Sequence, residues 1–251
     1  MGVISLINKI KKNGFVTLPG VFSQDEINIF KKRINEYLDT KSDGIVFESD
    51  GISVRGIHGL HLHDKFFESI CKNKTILEIA TKYIGEPCYV HQFKINIKKS
   101  LVGMSWPWHE DFIYWKNKDG IIHPKILNIC IFIDDVGVSS GPLSMIPKSH
   151  LCGELTDQLI GGDDWRQDVS NELTYQIGND RIEELIDENG IETMLGSAGD
   201  ILAFDPRIAH SSSVNMSNQD RSIIIITYNA VSNPPTVADG KKGLNFCVQQ
   251  V

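Results

Sequence analysis

Val90-His91-Gln92-Phe93-Lys94-Ile95-Asn96-Ile97-Lys98 decides the fold class of this 251-residue chain. Apolar and polar residues alternate through it with the period of two that belongs to a strand, which puts Gln92, Lys94, Asn96 and Lys98 on one face. Downstream, residues 126–134 and 222–230 are β-branched runs of strand length. Turn signals at Gly141-Pro142, Pro147, Gly199-Asp200 and Asp205-Pro206 separate further short strands. Upstream the pattern is mostly helical. Residues 4–12 carry a short apolar stripe, and 15–18 read as a strand. Ser23 and Glu26 form a capping-box signature ahead of a helix over 24–39, with Ile27, Phe30, Ile34, Tyr37 and Leu38 on one face. A second helical stretch runs from about 64 to 84.

Helices first and many short strands afterwards predict a mainly β fold with flanking helices. The expected core is a double-stranded β-helix (jelly roll, cupin-like) buttressed by N-terminal helices. The expected organisation is a single domain over 1–251: helical support over 1–88, the jelly roll over 89–235, and a polar insertion over about 153–195 with one helix, placed to cover a site.

The apolar share of 41% is enough to bury a real core and excludes a disordered or collagen-like chain. With 25 basic against 32 acidic residues the net charge is −7, which argues against nucleic acid and anionic membrane as partners. No apolar run reaches the ~18–20 residues that span a bilayer. Residues 1–13 lack the apolar run and cleavage site of a signal peptide, so a cytoplasmic location is expected. Five cysteines without a C-x-x-C pair read as reduced thiols and not as a disulfide framework.

Eight histidines direct attention to metal binding. In His109-Glu110-Asp111, strand alternation puts His109 and Asp111 on one face, and a third donor from a distant strand completes a two-histidine, one-carboxylate facial triad for ferrous iron. His210 is the natural third ligand. The tripeptide alone is weak evidence; Arg221, eleven residues after His210, strengthens it, because a buried arginine there holds a carboxylate by two parallel hydrogen bonds. His61 and His63 form another same-face pair, which reads as structural because no cysteine or carboxylate pattern accompanies it.

The order His109-x-Asp111, His210, Arg221 resembles the iron- and 2-oxoglutarate-dependent oxygenases, specifically the phytanoyl-CoA dioxygenase family. The segments Trp106-Pro107-Trp108-His109-Glu110-Asp111-Phe112, Gly141-Pro142-Leu143 and Pro147-Lys148-Ser149-His150 are similar to its ectoine hydroxylase branch. Lys148 departs from that branch, standing where glycine is common. The resemblance implies Fe(II), with 2-oxoglutarate and O2 as co-substrates, and release of succinate and CO2. It implies His109, Asp111 and His210 as metal ligands and catalytic centre. Arg221 is then the anchor for the co-substrate's far carboxylate, assisted by Gln92, Asn96 and Asn128, with Ser212 a weaker candidate. Trp115, four residues past Asp111, matches a substrate-facing loop. Arg55 is a candidate partner for a substrate carboxylate.

The expected reaction is hydroxylation of an unactivated C–H in a small, polar, amino-acid-like molecule. Desaturation or cyclisation by the same iron chemistry, a cupin-like metal enzyme that uses no 2-oxoglutarate, and a non-catalytic scaffold stand as alternatives. A small molecule is the expected partner, and a homodimer is compatible with the sequence.

Overall fold

A computed structural model describes residues 2–38, 44–48, 50–159, 173–237 and 249–250. In chain order these form α1 (Val3–Asn13), β1 (Phe15–Leu18), α2 (Gln24–Leu38), β2 (Ile45–Phe47), β3 (Val54–His58), α3 (Lys65–Cys71), α4 (Lys74–Ile84), β4 (Cys88–Lys98), β5 (Trp106–His109), α5 (Phe112–Tyr114) and β6 (Ile126–Phe132). There follow β7 (Leu143–Met145), β8 (Gln158–Leu159), β9 (Tyr175–Gln176), α6 (Asn179–Asn189), β10 (Glu192–Met194), β11 (Ile201–Phe204), β12 (His210–Ser212), β13 (Arg221–Ala230) and β14 (Gln249–Gln250).

Two antiparallel sheets face one another, as in a jelly roll. The large sheet runs β1-β11-β6-β13-β4-β3-β2, with β14 also paired to β4, and the small one runs β10-β7-β12-β5. The first 88 residues are therefore more than helical support, since they give the large sheet β1, β2 and β3. β2 and β3 are short, and β3 carries Gly56, so neither has the run of alternation that marks β4.

Alternation along the large sheet sorts its two faces. Leu127, Ile129 and Ile131 of β6 join Ile224, Ile226 and Tyr228 of β13 against α1, α2 and α4. Cys130, Phe132, Ile223 and Ile225 point the other way, toward Met145 and Met194 of the small sheet. The functional face is the one between the sheets. β4 contains one irregularity: Thr227 pairs with Gln92 but Tyr228 pairs with Val90, so His91 is an extra, bulged residue. The bulge lets both Val90 and Phe93 reach the helix-side core while Gln92, Lys94, Asn96 and Lys98 keep to the inner face.

Ser23 and Glu26 make the expected capping box: Glu26 N–H donates to Ser23 Oγ at 3.3 Å and Ser23 N–H to Glu26 Oε2 at 2.8 Å. The helical stretch over 64–84 divides in two, because Asn73 Oδ1 accepts from the backbone N–H of Thr75 and Ile76 and starts α4 afresh. The polar stretch over 153–195 holds α6, and residues 160–172 of it lie outside the described residues. It is fastened beside β5: Ile177 N–H donates to Trp108 O at 2.9 Å, and Glu110 accepts from the backbone N–H of Leu155 and Thr156. Cys71, Cys88 and Cys130 are buried free thiols and Cys152 an exposed one; Cys247 lies outside the described residues. Among the described residues no helix is long and apolar enough to cross a membrane.

Candidate functional site

β5 and β12 pair so that His109 lies opposite His210 in the register. Both rings are oriented by the same local bond. His109 Nδ1 is 2.7 Å from Pro107 O, and His210 Nδ1 is 3.0 Å from Ile208 O. A carbonyl only accepts, so Nδ1 carries the proton in each ring and Nε2 carries a lone pair. Burial, with His210 nearby, pushes the His109 pKa down to about 3, which keeps that ring neutral at physiological pH.

Strand β5 ends at His109, and the chain turns helical at Asp111, whose carboxylate swings back toward both rings. Asp111 Oδ1 lies 3.7 Å from His109 Nε2 and 3.9 Å from His210 Nε2. Its other oxygen accepts from Asn128 Nδ2 at 2.6 Å, and Asn128 Oδ1 accepts from Thr227 Oγ1 at 2.7 Å. Burial alone would raise the Asp111 pKa; Lys94, the two imidazoles and the Asn128 amide outweigh it and hold the pKa below the usual value. The three donor atoms lie within 4.8 Å of one another, and among the described residues no other group of three such ligands does so. Two imidazole nitrogens and one carboxylate oxygen, each braced from behind, fit a divalent transition metal such as ferrous iron.

The triad opens into a pocket between the sheets whose wall includes Asn96, Ser212 and Arg221. Arg221 is 2% exposed, and its guanidinium donates to the carbonyls of Ser140 and Gly141. Burial lowers its pKa to about 10, so it remains charged. Gly141 has a φ of +74°, and a Cβ there would lie 2.7 Å from Lys98 Cδ and 2.8 Å from Ser213 O, so glycine is needed for the chain to pass so close. Four basic side chains (Arg55, Lys94, Lys98, Arg221) line the pocket against two carboxylates, Glu48 and Asp111, and burial leaves Lys98 the weakest of the four bases, its pKa lowered to about 6. Such a wall suits an anionic ligand, and a dicarboxylate such as 2-oxoglutarate suits it well.

Of the residues singled out from sequence, the structure brings together His109, Asp111, His210, Asn96, Ser212, Arg221 and Arg55. Asn128 is adjacent, but its amide is spent on Asp111 and Thr227, so it braces the triad instead of facing the pocket. Gln92 shares the inner face of β4, opposite Thr227, and lies beyond the pocket wall. Trp115 is elsewhere. The chain after Asp111 coils through α5 into one π-helical turn, which buries the indole among Phe112, Ile121 and Ile126, edge-on to His91. His61 is also a core residue, stacked on Phe93 at 5.4 Å, with its pKa pushed down to about 4 by burial. Sequence reasoning missed Lys94, Lys98, Glu48 and Trp106 as pocket residues. For the two lysines the signal was present, since they share the polar face of β4 with Asn96.

The sequence model of the phytanoyl-CoA dioxygenase family matches residues 10–223. An L-proline trans-4-hydroxylase from Streptomyces griseoviridis is 36% identical over 228 residues, covering 89% of this chain and 85% of the relative. An ectoine dioxygenase from Halomonas elongata is 28% identical over 236 residues, covering 90% and 70%. In fold, the chain is similar to EctD from S. alaskensis, a crystal structure with 2-oxoglutarate and 5-hydroxyectoine. The TM-score is 0.83 at 22% identity, over 100% of this chain and 84% of that one.

Proposed function

Because the chain belongs to the phytanoyl-CoA dioxygenase family and is an iron- and 2-oxoglutarate-dependent dioxygenase, we propose that it hydroxylates a small free amino acid at an unactivated carbon. We assign His109, Asp111 and His210 as the iron ligands and Arg221 as the anchor for the co-substrate's far carboxylate. The observation that carries this reading is the convergence of the three donor atoms within 4.8 Å beside a pocket rich in basic side chains. L-Proline is the first candidate substrate, since the relative at 36% identity acts on it.

When bound, iron supplies the oxidation: O2 converts 2-oxoglutarate to succinate and CO2, coupled to conversion of a substrate C–H into C–OH. The protein's own groups do the rest. Pro107 O and Ile208 O hold the imidazole protons at Nδ1 and leave Nε2 free to ligate. Asn128 fixes one oxygen of Asp111 and leaves the other aimed at the two rings. Arg221, buried on β13 and positioned by the carbonyls of the loop before β7, offers a fixed positive charge to the co-substrate. Asn96 and Ser212 supply hydrogen-bonding groups on the same wall.

The test is a screen of free amino acids, beginning with L-proline and including ectoine. It reads substrate-stimulated succinate formation with ferrous iron, and the mass gain of one oxygen in the product. Stimulation by a free amino acid with matching oxygen insertion supports the proposal. Succinate formed without oxygen insertion into any amino-acid-like compound contradicts it. We further place the enzyme in the cytoplasm, supported by the free thiols of its buried cysteines.

A further inference from the structure

We infer that Arg55 is the receptor for a carboxylate on the substrate, so that the enzyme takes free amino or imino acids in preference to their amides. The inference rests on the hydroxylase reading above and names which part of the substrate is recognised, and where.

Arg55 lies on β3, is 5% exposed, and lines the pocket of the triad. Its Nη1 donates to Glu48 Oε2 at 2.8 Å. Its Nε and Nη2, which form one edge of the planar guanidinium, have no hydrogen-bond partner. Buried donors without a partner are uncommon in native structures, because each forfeits its bond to water. Here two of them stand side by side on one fork, and two parallel N–H groups are the complement of a carboxylate.

The surrounding charge points the same way. Burial pushes the Arg55 pKa down, and Glu48 opposes that shift. Arg55 and Arg221 both repel a charge on Lys98, which only Glu48 offsets. Asp111 is committed to the two histidines and Asn128. With Arg221 given to 2-oxoglutarate, the free edge of Arg55 calls for a second anion. Trp106 adjoins both halves of the pocket: Arg55 Cζ is 4.1 Å from its ring centroid, and its ring stacks beside His109 at 6.2 Å. The fork and the metal-binding triad thus share one wall, an arrangement that fixes one end of a small substrate while presenting a carbon to the oxidising centre.

The experiment pairs L-proline with L-prolinamide on the iron- and 2-oxoglutarate-loaded enzyme, wild type and Arg55→Gln, and measures KM for each probe and for the co-substrate. Wild type is expected to favour L-proline by about 30-fold or more in kcat/KM, the size of losing one partner of a buried charge pair. Arg55→Gln raises the L-proline KM by a like factor and erases the preference, while the co-substrate KM stays put. Arg55→Lys keeps the charge beside Glu48 and loses the fork, and supplies the same comparison should the glutamine variant not fold. If a different free amino acid drives turnover, the same pair of acid and amide is made from it. A preference that survives in the variants, or a change confined to the co-substrate KM, overturns the assignment of Arg55 and leaves the hydroxylase reading standing. Succinate formation driven only by carboxylate-free compounds overturns both.

Discussion

His109 and His210 face each other from paired positions on β5 and β12, ring centroids 4.1 Å apart, each with Nδ1 held by the carbonyl two residues earlier. With Nδ1 of each ring held by a carbonyl, the two Nε2 atoms face one gap that Asp111 closes from the third side. The strand pairing alone brings together residues 101 positions apart in sequence, which is why the centre is built into the fold and not assembled on a loop.

Asn128 is the first residue to test behind the triad. Its amide holds Asp111 Oδ2 at 2.6 Å. Asn128→Ala is expected to weaken ferrous iron binding by about 10–100-fold, the usual effect of removing a group that orients a metal ligand. Thr227→Val, which frees the Asn128 carbonyl, should give a smaller loss in the same direction. An equilibrium titration measures both; an unchanged affinity in Asn128→Ala contradicts the bracing role.

Arg221→Gln should raise the co-substrate KM by about 10–100-fold, matching the ~1.5–3 kcal/mol of a charge-assisted hydrogen bond, with a smaller effect on kcat. Steady-state kinetics at varied 2-oxoglutarate measures it. A fall in kcat with KM unmoved would place the co-substrate's anchor elsewhere.

Lys98 gives the ligand-free protein a pH dependence. Burial, followed by repulsion from Arg221 and Arg55 and opposed by Glu48, pushes its pKa from 10.5 down to about 6, while its ammonium nitrogen bonds to Met104 O and Ser213 O. The unfolded chain therefore binds more protons at this site between those values, and the site's contribution to stability rises with pH through that window. Denaturant unfolding at pH 7 and pH 9 should show wild type gaining on Lys98→Met as the pH rises. A constant difference between the two proteins would refute it.

Lys148 occupies the left-handed region, with φ of +65°, just before the short turn Ser149–Leu151. A side chain costs roughly 1–2 kcal/mol there, and glycine returns part of that gain through its freedom in the unfolded chain. Lys148→Gly is expected to raise Tm by about 1–3 °C for a chain of this length. A lowered Tm would show that the lysine side chain makes a compensating contact.

The sequence made β4 legible through its alternation, and the iron ligands through a tripeptide and a distant histidine. It hid the bulge at His91, because a bulge adds a residue without disturbing composition. It hid β2 and β3, whose few residues pair in turn, β3 along the edge of β4 and β2 along the edge of β3. The direction of Trp115 was also beyond it: a spacing of four from Asp111 carries no face when the chain coils through a π-helical turn. Arg55 was visible as a charge, but its partner Glu48 and its unpaired edge exist only once β3 has docked.

Anaerobic titration with ferrous iron tests the central claim most directly, run on the wild-type chain beside His109→Ala and Asp111→Ala with far-UV circular dichroism as the check on folding. The expected result is one ion bound per wild-type chain and none in either folded variant. Wild-type protein that binds no ion, or folded variants that bind as wild type does, would contradict it.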